Sequence, residues 1–347
     1  MICFDTGEAL RLERDPGVLF NELCAVQNGQ WVVLDEVQKA PVLLDQVQRL
    51  MEDCGVRFIL CGSSARKLKR SGVNLLAGRA IESRMFPLVS AELGQDFQLD
   101  SALRLGTLPL AVTGADPEGF LTTYANTYLT EEIRAEAATR NVGAFSRFLE
   151  VAARQNGQLT NLSNIARESA VTRSTVQNYF EILSDTLLGY WLEPWKLKRS
   201  TKQVSHPKFY LFDPGVARAL SGRLPYPPTQ EETGALLENF VINEFRAFLW
   251  YHKLRYKIFF WRNYDGTEVD LLCETAQGFV AVEVKAANAW QRRFGGGLQR
   301  IRAELASRPI ATYGVFLGDR PAMFGQDIIL PATEFLRRLW NGDIVGR

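Results

Sequence analysis

Residues 31 to 41 read WVVLDEVQKAP. Four apolar residues running into an acidic pair describe a buried strand that delivers two carboxylates, Asp35 and Glu36, at its carboxyl end, where parallel sheets keep their ligands. A second apolar run, RFILCGSS at residues 57 to 64, follows a helix-like stretch, PVLLDQVQRLMED. Two further strand-like segments, MICFD at the start of the chain and SRMFPLV at residues 83 to 89, complete the pattern. Strands alternating with helical stretches up to about Leu93 predict a parallel α/β sheet.

An acidic pair in that position matches a nucleoside triphosphatase, in which the Asp holds Mg²⁺ and the following acid orients or deprotonates the attacking water. Ser63 and Ser64 end the neighbouring strand and are placed to touch a γ-phosphate. Arg79 and Arg84, in LAGRAIESR, are candidates for neutralising developing phosphate charge. The plainer alternative is an ordinary solvated strand end, so the order of strand-Asp-Glu, helix, strand-Gly-Ser-Ser and Ala-Gly-Arg is more informative than any single motif.

A chain of 347 residues implies more than one domain, and 46% hydrophobic with 23% charged residues describes an ordinary globular composition. The formal charge of +1 advertises neither nucleic acid nor a membrane, so any such surface must be a local patch. Two histidines, His206 and His252, leave little from which to build a His-based triad or metal site. Cys3, Cys24, Cys54, Cys61 and Cys273 form no C-x-x-C pair and read as reduced core residues of a cytoplasmic protein. No apolar run approaches the roughly 18 residues of a membrane span, and no signal pattern opens the chain.

From Gly94 to Gln155 the strand signals fade, and Asp116-Pro117-Glu118 reads as a helix start. Next, Leu162, Ile165 and Ala166 form one helical stripe, and Val176, Tyr179, Phe180 and Leu183 a second. Residues 169 to 172 lie between them, which is helix-turn-helix spacing. Two strands, LGYWLEPW and PKFYLF, then flank the polar stretch KLKRSTKQVSH, as in a wing. Lys196, Lys198, Arg199, Lys202 and Lys208 lie in this region, and Arg173 opens the second helix. Together they suit phosphate contacts with DNA, the alternative being a solvated loop on a module used for protein contact.

Beyond the Pro-rich break at residues 224 to 228, EVDLLCE and FVAVEVK are joined by Thr275-Ala276-Gln277-Gly278. A four-residue turn there sets Asp270 opposite Glu283 and puts Lys285 on the same face, with Val282 and Val284 pointing away. Paired carboxylates want a divalent cation, and an adjacent ammonium can position hydroxide for attack on a phosphodiester. The alternative is an ordinary hairpin with cross-strand ion pairs.

VVLDEVQKAP, FILCGSSARKL, LAGR with PLVSAEL, YLTEEI, PKFYLFDPGVARAL, GALLENFVINE and EVDLLCETAQGFVAVEVKAA occur in the order found in prokaryotic AAA-family ATPases, which the chain resembles from its first residues to about residue 290. In that family the ATPase domain is followed by a winged helix and a C-terminal domain of unknown function with a restriction-endonuclease-like fold. The resemblance implies an incomplete AAA-type sheet at 1–95, a helical lid or linker at 96–155, a winged helix-turn-helix at 156–225 and a nuclease-like α/β domain at 226–347. It adds Glu238, in LLENFV, to the acids Asp270 and Glu283 and to Lys285. It further implies ATP bound through Asp35, Ser63, Ser64 and Arg79, Mg²⁺ at Asp35 or at Asp270 and Glu283, DNA as a partner, and assembly with like subunits in which Arg79 or Arg84 acts in trans. The departure is the phosphate loop, G-x-x-x-x-G-K-[ST]: the chain has no Gly-Lys dipeptide. By the resemblance MICFD corresponds to the family's second strand, so the expectation is an N-terminally truncated ATPase, the alternative being a genuine degenerate one, that does not bind ATP tightly and leaves apolar surface uncovered beside RFILCGSS. A divalent-metal nuclease and a non-catalytic DNA- or partner-binding protein are the rival functions.

Overall fold

The computed structural model describes residues 6–25, 29–37, 40–62, 79–128, 141–196 and 206–346. MICFD, Ser63, Ser64, Lys198, Arg199, Lys202 and most of YLTEEI lie outside the described residues. The chain forms two compact units, residues 1–83 with Asp185–Leu187, and residues 84–184 with 188–347.

The first unit has helices α1 (Thr6–Arg14), α2 (Gly17–Leu23) and α3 (Leu43–Asp53) and strands β1 (Trp31–Leu34) and β2 (Arg57–Leu60). The strands pair in parallel, Trp31 opposite Arg57 and Leu34 opposite Leu60, as the alternating pattern predicts. Leu43, Val47 and Leu50 on one face of α3 pack with Val32 and Leu34 of β1 and with Leu12, Leu19 and Leu23. Apolar surface remains open on the strands, with Trp31 60% and Ile59 47% exposed. One expectation is corrected here: Cys24 and Cys54 are joined by a disulfide, their Cα atoms 5.6 Å apart. Thirty residues separate them, and only the return of α3 beneath α2 brings them together.

The second unit begins at Arg84, within SRMFPLV, which forms no strand. Its backbone donors go elsewhere: Phe86 N–H to the Tyr251 hydroxyl, Leu88 N–H to Thr107 O, and Val89 N–H to the Glu92 carboxylate. Helices α4 (Ser90–Leu93), α5 (Leu99–Leu105), α6 (Pro109–Thr113), α7 (Pro117–Thr123) and α8 (Val142–Arg154) follow. Asp116 caps α7 through Gly119 N–H at 2.9 Å, with Pro117 at its first position, as the sequence predicts. Helices α9 (Leu162–Ser169) and α10 (Arg173–Asp185) are joined by a short turn and bury Ile165, Ala166, Val176, Tyr179, Phe180 and Leu183. Strands β3 (Gly189–Leu192) and β4 (Lys208–Leu211) then pair antiparallel.

Asp213 and Pro214 start α11 (Pro214–Leu220), where the Asp213 carboxylate accepts from Val216 N–H at 2.9 Å and also from Thr107 N–H at 2.8 Å. Burial pushes the Asp213 carboxyl up to about 6, against those N–H donors. Gly106 has φ +70°, and a Cβ there would meet an Asp213 oxygen at 1.9 Å, so only glycine permits this grip.

The C-terminal region is built on α12 (Gln230–Tyr251), the central helix of the unit. Phe240, Val241, Phe245 and Phe248 enter its core, Asn239 donates to Leu211 O, and buried Glu244 accepts from Ser90 and Trp340. A six-stranded mixed sheet contains β5 (Lys257–Arg262), β6 (Glu268–Thr275), β7 (Gly278–Lys285), β8 (Ile310–Phe316), β9 (Ala322–Phe324) and β10 (Asp327–Pro331), ordered β5-β6-β7-β8-β10-β9. Helix α13 (Gly296–Glu304) links the parallel pair β7 and β8, and α14 (Ala332–Asn341) closes the chain. Leu271, Val282 and Val284 face the α12 core, whereas Leu272, Phe279 and Ala281 meet Leu298 and Ile301 of α13. The chain leaving β3 adds to the edge of this sheet, with Phe260 N–H donating to Glu193 O and Trp195 N–H to Phe260 O. Among the described residues no helix is long and apolar enough to cross a membrane.

Candidate functional site

The β6–β7 hairpin has the register expected of a turn at 275–278: Leu271 faces Val282 and Thr275 faces Gly278. Beyond Leu271 the ladder gives way to a side chain, since the Asp270 carboxylate accepts from Val284 N–H at 2.7 Å. Glu283 and Lys285 project beside it. Lys285 Nζ bonds Glu283 and lies 3.9 Å from Asp270 Oδ2. Helix α12 brings in Glu238. Asp270, Glu283, Lys285 and Glu238 thus line one open cleft of about 430 Å³, together with Lys208, Arg262, Glu268 and residues 157–159. These four are the residues expected together from the sequence.

The cleft is crowded with charge. Lys208 Nζ reaches Glu238 Oε1 at 2.8 Å and also pairs with Glu268, while Arg262 donates to Glu268 Oε2 at 2.8 Å. The Tyr210 hydroxyl bonds the same Glu238 oxygen that Lys208 uses. Four carboxylates therefore meet three cations. Burial pushes the Glu238 carboxyl up to about 7, with Lys208 opposing and Asp270 adding to the shift. Burial likewise holds Glu283 well above the carboxylate range, reinforced by Asp270 and opposed by Lys285. Burial disfavours charge on Lys208, but Glu238, Glu268 and Asp270 outweigh it and hold its ammonium above the ordinary lysine value.

Two observations bear on whether a metal fits. Ligand oxygens of Glu238, Glu268 and Asp270 lie within 4.8 Å of one another. Glu283, only 4% exposed, keeps one buried oxygen, Oε2, with no hydrogen-bond partner among the described residues. A buried unpaired carboxylate oxygen is costly unless something cationic or donating meets it. Lys208 Nζ already bonds Glu238 and Glu268 of that trio, so the oxygens of Asp270 and Glu283, one of them unsatisfied, are the pair that suits a hard divalent cation such as Mg²⁺.

Three residues of the cleft escape a purely motif-based reading. Glu268 lies two residues before Asp270, so strand periodicity could have placed it on the same face. Arg262 on the adjacent strand carries no such signal. Lys208 reads as a basic residue of the wing, and the structure corrects that: it is 4% exposed and points into the acidic cleft. The chain beyond β3 runs along β5, and this carries β4 and its lysine to the mouth of the hairpin.

The other candidates are more scattered. Asp35 is exposed at the end of β1, where its Oδ1 accepts from Glu36 N–H at 3.0 Å, and Glu36 has the left-handed φ of +54°. Arg79 pairs with Glu52 of α3 at 2.9 Å on an exposed surface, rather than standing ready for a phosphate. Arg84 belongs to the second unit, where its guanidinium stacks 4.5 Å over Trp250. Arg173 and Lys196 are exposed, and Gln177 joins Arg173 on the open face of α10.

Comparison with known proteins bears on the same segments. Residues 1–94 match the model of an AAA domain, residues 96–226 a domain of unknown function (DUF8612), and residues 233–335 another (DUF4143). An uncharacterized protein of Mycobacterium tuberculosis is 29% identical over 268 residues, 73% of this chain and 58% of the relative. Uncharacterized proteins of Haemophilus influenzae and Methanocaldococcus jannaschii are each 22% identical, over 57% and 64% of this chain and 54% of each relative. The chain spans a little over half the length of these relatives. It is similar to AAA-domain, ATPase-like proteins, with a DUF4143 region that contains the whole cleft except Lys208 and residues 157–159.

Proposed function

We propose that the cleft is a Mg²⁺-dependent phosphodiester-cleaving centre of restriction-endonuclease-like type, set beside a winged helix in an ATPase-like protein. The observation that carries this reading is the buried Glu283 carboxylate, one oxygen of which has no hydrogen-bond partner among the described residues, beside Asp270 and Lys285 at an open cleft. Asp270 and Glu283 would hold the cation, which when bound supplies Lewis-acid polarisation and a more acidic water. Glu238, its carboxyl raised towards neutrality, is suited to exchange a proton with water at the cleft. Lys285, partly exposed and held by Glu283, offers a positive charge to a phosphate oxygen. Incubation of duplex DNA with the protein and Mg²⁺ or Mn²⁺ tests the proposal. Cleavage that disappears in Asp270→Ala and Glu283→Ala but persists in Asp35→Ala supports it; no cleavage, or cleavage surviving both cleft variants, overturns it.

The AAA-domain match supports a second activity, nucleotide binding through Asp35 and Glu36. Affinity for a fluorescent ATP analogue that vanishes in Asp35→Ala is the expected result, and no affinity at all rejects it for this chain. Exposed Arg173 and Lys196 support duplex binding by α10 and the adjoining strands. Arg173→Ala should weaken binding and flatten its salt dependence. Salt-sensitive binding without either activity would leave a non-catalytic DNA- or partner-binding protein.

A further inference from the structure

Four acids line the cleft, and the fold itself supplies a cation to two of them. Beside Asp270, the buried Glu283 Oε2 has no hydrogen-bond partner among the described residues, and this is where the proposed metal ion would be held. A second cluster is that of Glu238, Glu268 and Asp270, whose oxygens approach within 4.8 Å as they would around an ion. Lys208 Nζ already occupies that second cluster, 2.8 Å from Glu238 and bonded to Glu268. The ammonium also lies over the Phe260 ring, Nζ 5.4 Å from the centroid, while the Lys208 backbone bridges to Leu159, so its position is set by β4 and by the sheet edge.

We propose that Lys208 is a tethered ammonium standing in for a second divalent cation, which makes the cleft a one-metal site. The inference rests on the metal-dependent reading of the same cleft and deepens it. An ammonium bonded to Glu238 and Glu268 and a divalent ion ligated by the same two carboxylates cannot sit side by side, because their like charges repel and each needs the same lone pairs. A two-metal phosphodiesterase clamps both the attacking and the leaving oxygen between ions. Here one of those positions is held by a fixed single charge that cannot leave, and the other alone responds to the metal concentration. Lys208 is thus a positioning residue and a determinant of metal number, with no covalent step of its own. Lysine serves well because its ammonium is a compact point charge with three donors, which Glu238 and Glu268 can both accept.

The test is the stoichiometry of Mn²⁺ binding to the full chain, read by calorimetry and by the loss of the free-ion paramagnetic signal. The unmodified protein should bind one Mn²⁺ in the cleft, and Lys208→Met should bind one more, with Lys208→Arg restoring the lower number. If Lys208→Met does not fold, Lys208→Met combined with Glu268→Gln balances the charge and retains an amide oxygen as ligand, and it should show the same gain. One Mn²⁺ both with and without the lysine overturns the inference while leaving the metal-dependent reading intact, and none in either overturns both. No Mn²⁺ on the unmodified protein but one on the lysine-free variant overturns the proposed metal-dependent activity and supports the tethered ammonium.

Discussion

The two acidic sites of this protein share a residue type and differ in their surroundings. In the first unit Asp35 stands exposed at the end of a two-stranded parallel sheet. In the second, Asp270 and Glu283 end the paired part of a hairpin inside a six-stranded sheet, in a cleft shared with Glu238 of α12 and with a lysine from another element. A carboxylate in water is an ordinary solvated ion, whereas one taken out of water must find a cation, a donor or a proton. Glu238 and Glu283 accordingly depart from the usual carboxylate range, and burial is the first cause in both. Strand-end acids are thus distinguished by the layers of structure that close around them.

The contrast breaks most visibly if the buried acids are not the working ones. Asp270→Ala is expected to lower Mg²⁺-dependent DNA cleavage by about 10³-fold, in the range of a lost metal ligand or acid–base group, whereas Asp35→Ala leaves it unchanged. Gel assays at saturating Mg²⁺ make that comparison directly. A stability difference comes next. Lys208→Ala leaves the half-buried Glu238 and Glu268 without their shared cation, though Arg262 still pairs with Glu268, and urea unfolding should register a loss of about 3 kcal/mol, the lower end for a broken buried pair. Its counterpart in the first unit, the exposed Arg79–Glu52 pair, should lose no more than about 1 kcal/mol on Arg79→Ala.

Between these lies Asp213, which serves α11 and the Thr107 backbone together. Asp213→Ala is expected to cost about 1–3 kcal/mol by leaving two buried N–H groups unpaired. Its pH dependence has a definite sign. The folded carboxyl is raised from 3.8 to about 6, so its contribution to stability is fully present below pH 3.8 and is lost as pH rises through about 6. Unfolding curves of the unmodified protein and Asp213→Asn should therefore draw apart across that window, the unmodified protein losing ground as pH increases.

Much of the cleft is legible in the chain because its logic is local. Asp270, Glu283 and Lys285 follow from strand alternation and a four-residue turn, and the observed register from Leu271–Val282 to Thr275–Gly278 is the one that turn demands. The stripes of α9 and α10 are equally local, as is the Asp116-Pro117 helix start. SRMFPLV misleads for a physical reason: alternation shows which residues seek burial, but its N–H groups find Tyr251, Thr107 and Glu92 in place of a neighbouring strand. The Cys24–Cys54 bond is illegible for a related reason, since spacing alone carries no information on which helices return to one another.

The sequence by itself determined where the acids lie along strands, which faces seek a core and which positions can begin helices. Those properties depend on neighbours two to four residues away. Only the tertiary structure decided that Lys208, read along the chain as a wing cation, is a buried partner of Glu238 and Glu268. Only it closed α13 onto β6 at Gly297, where a Cβ would meet Glu268 O at 1.9 Å. Charge partners within the fold are chosen by which backbones pack together, and the chain joins Lys208 to Glu268 only through the sheet edge and the long helix between them.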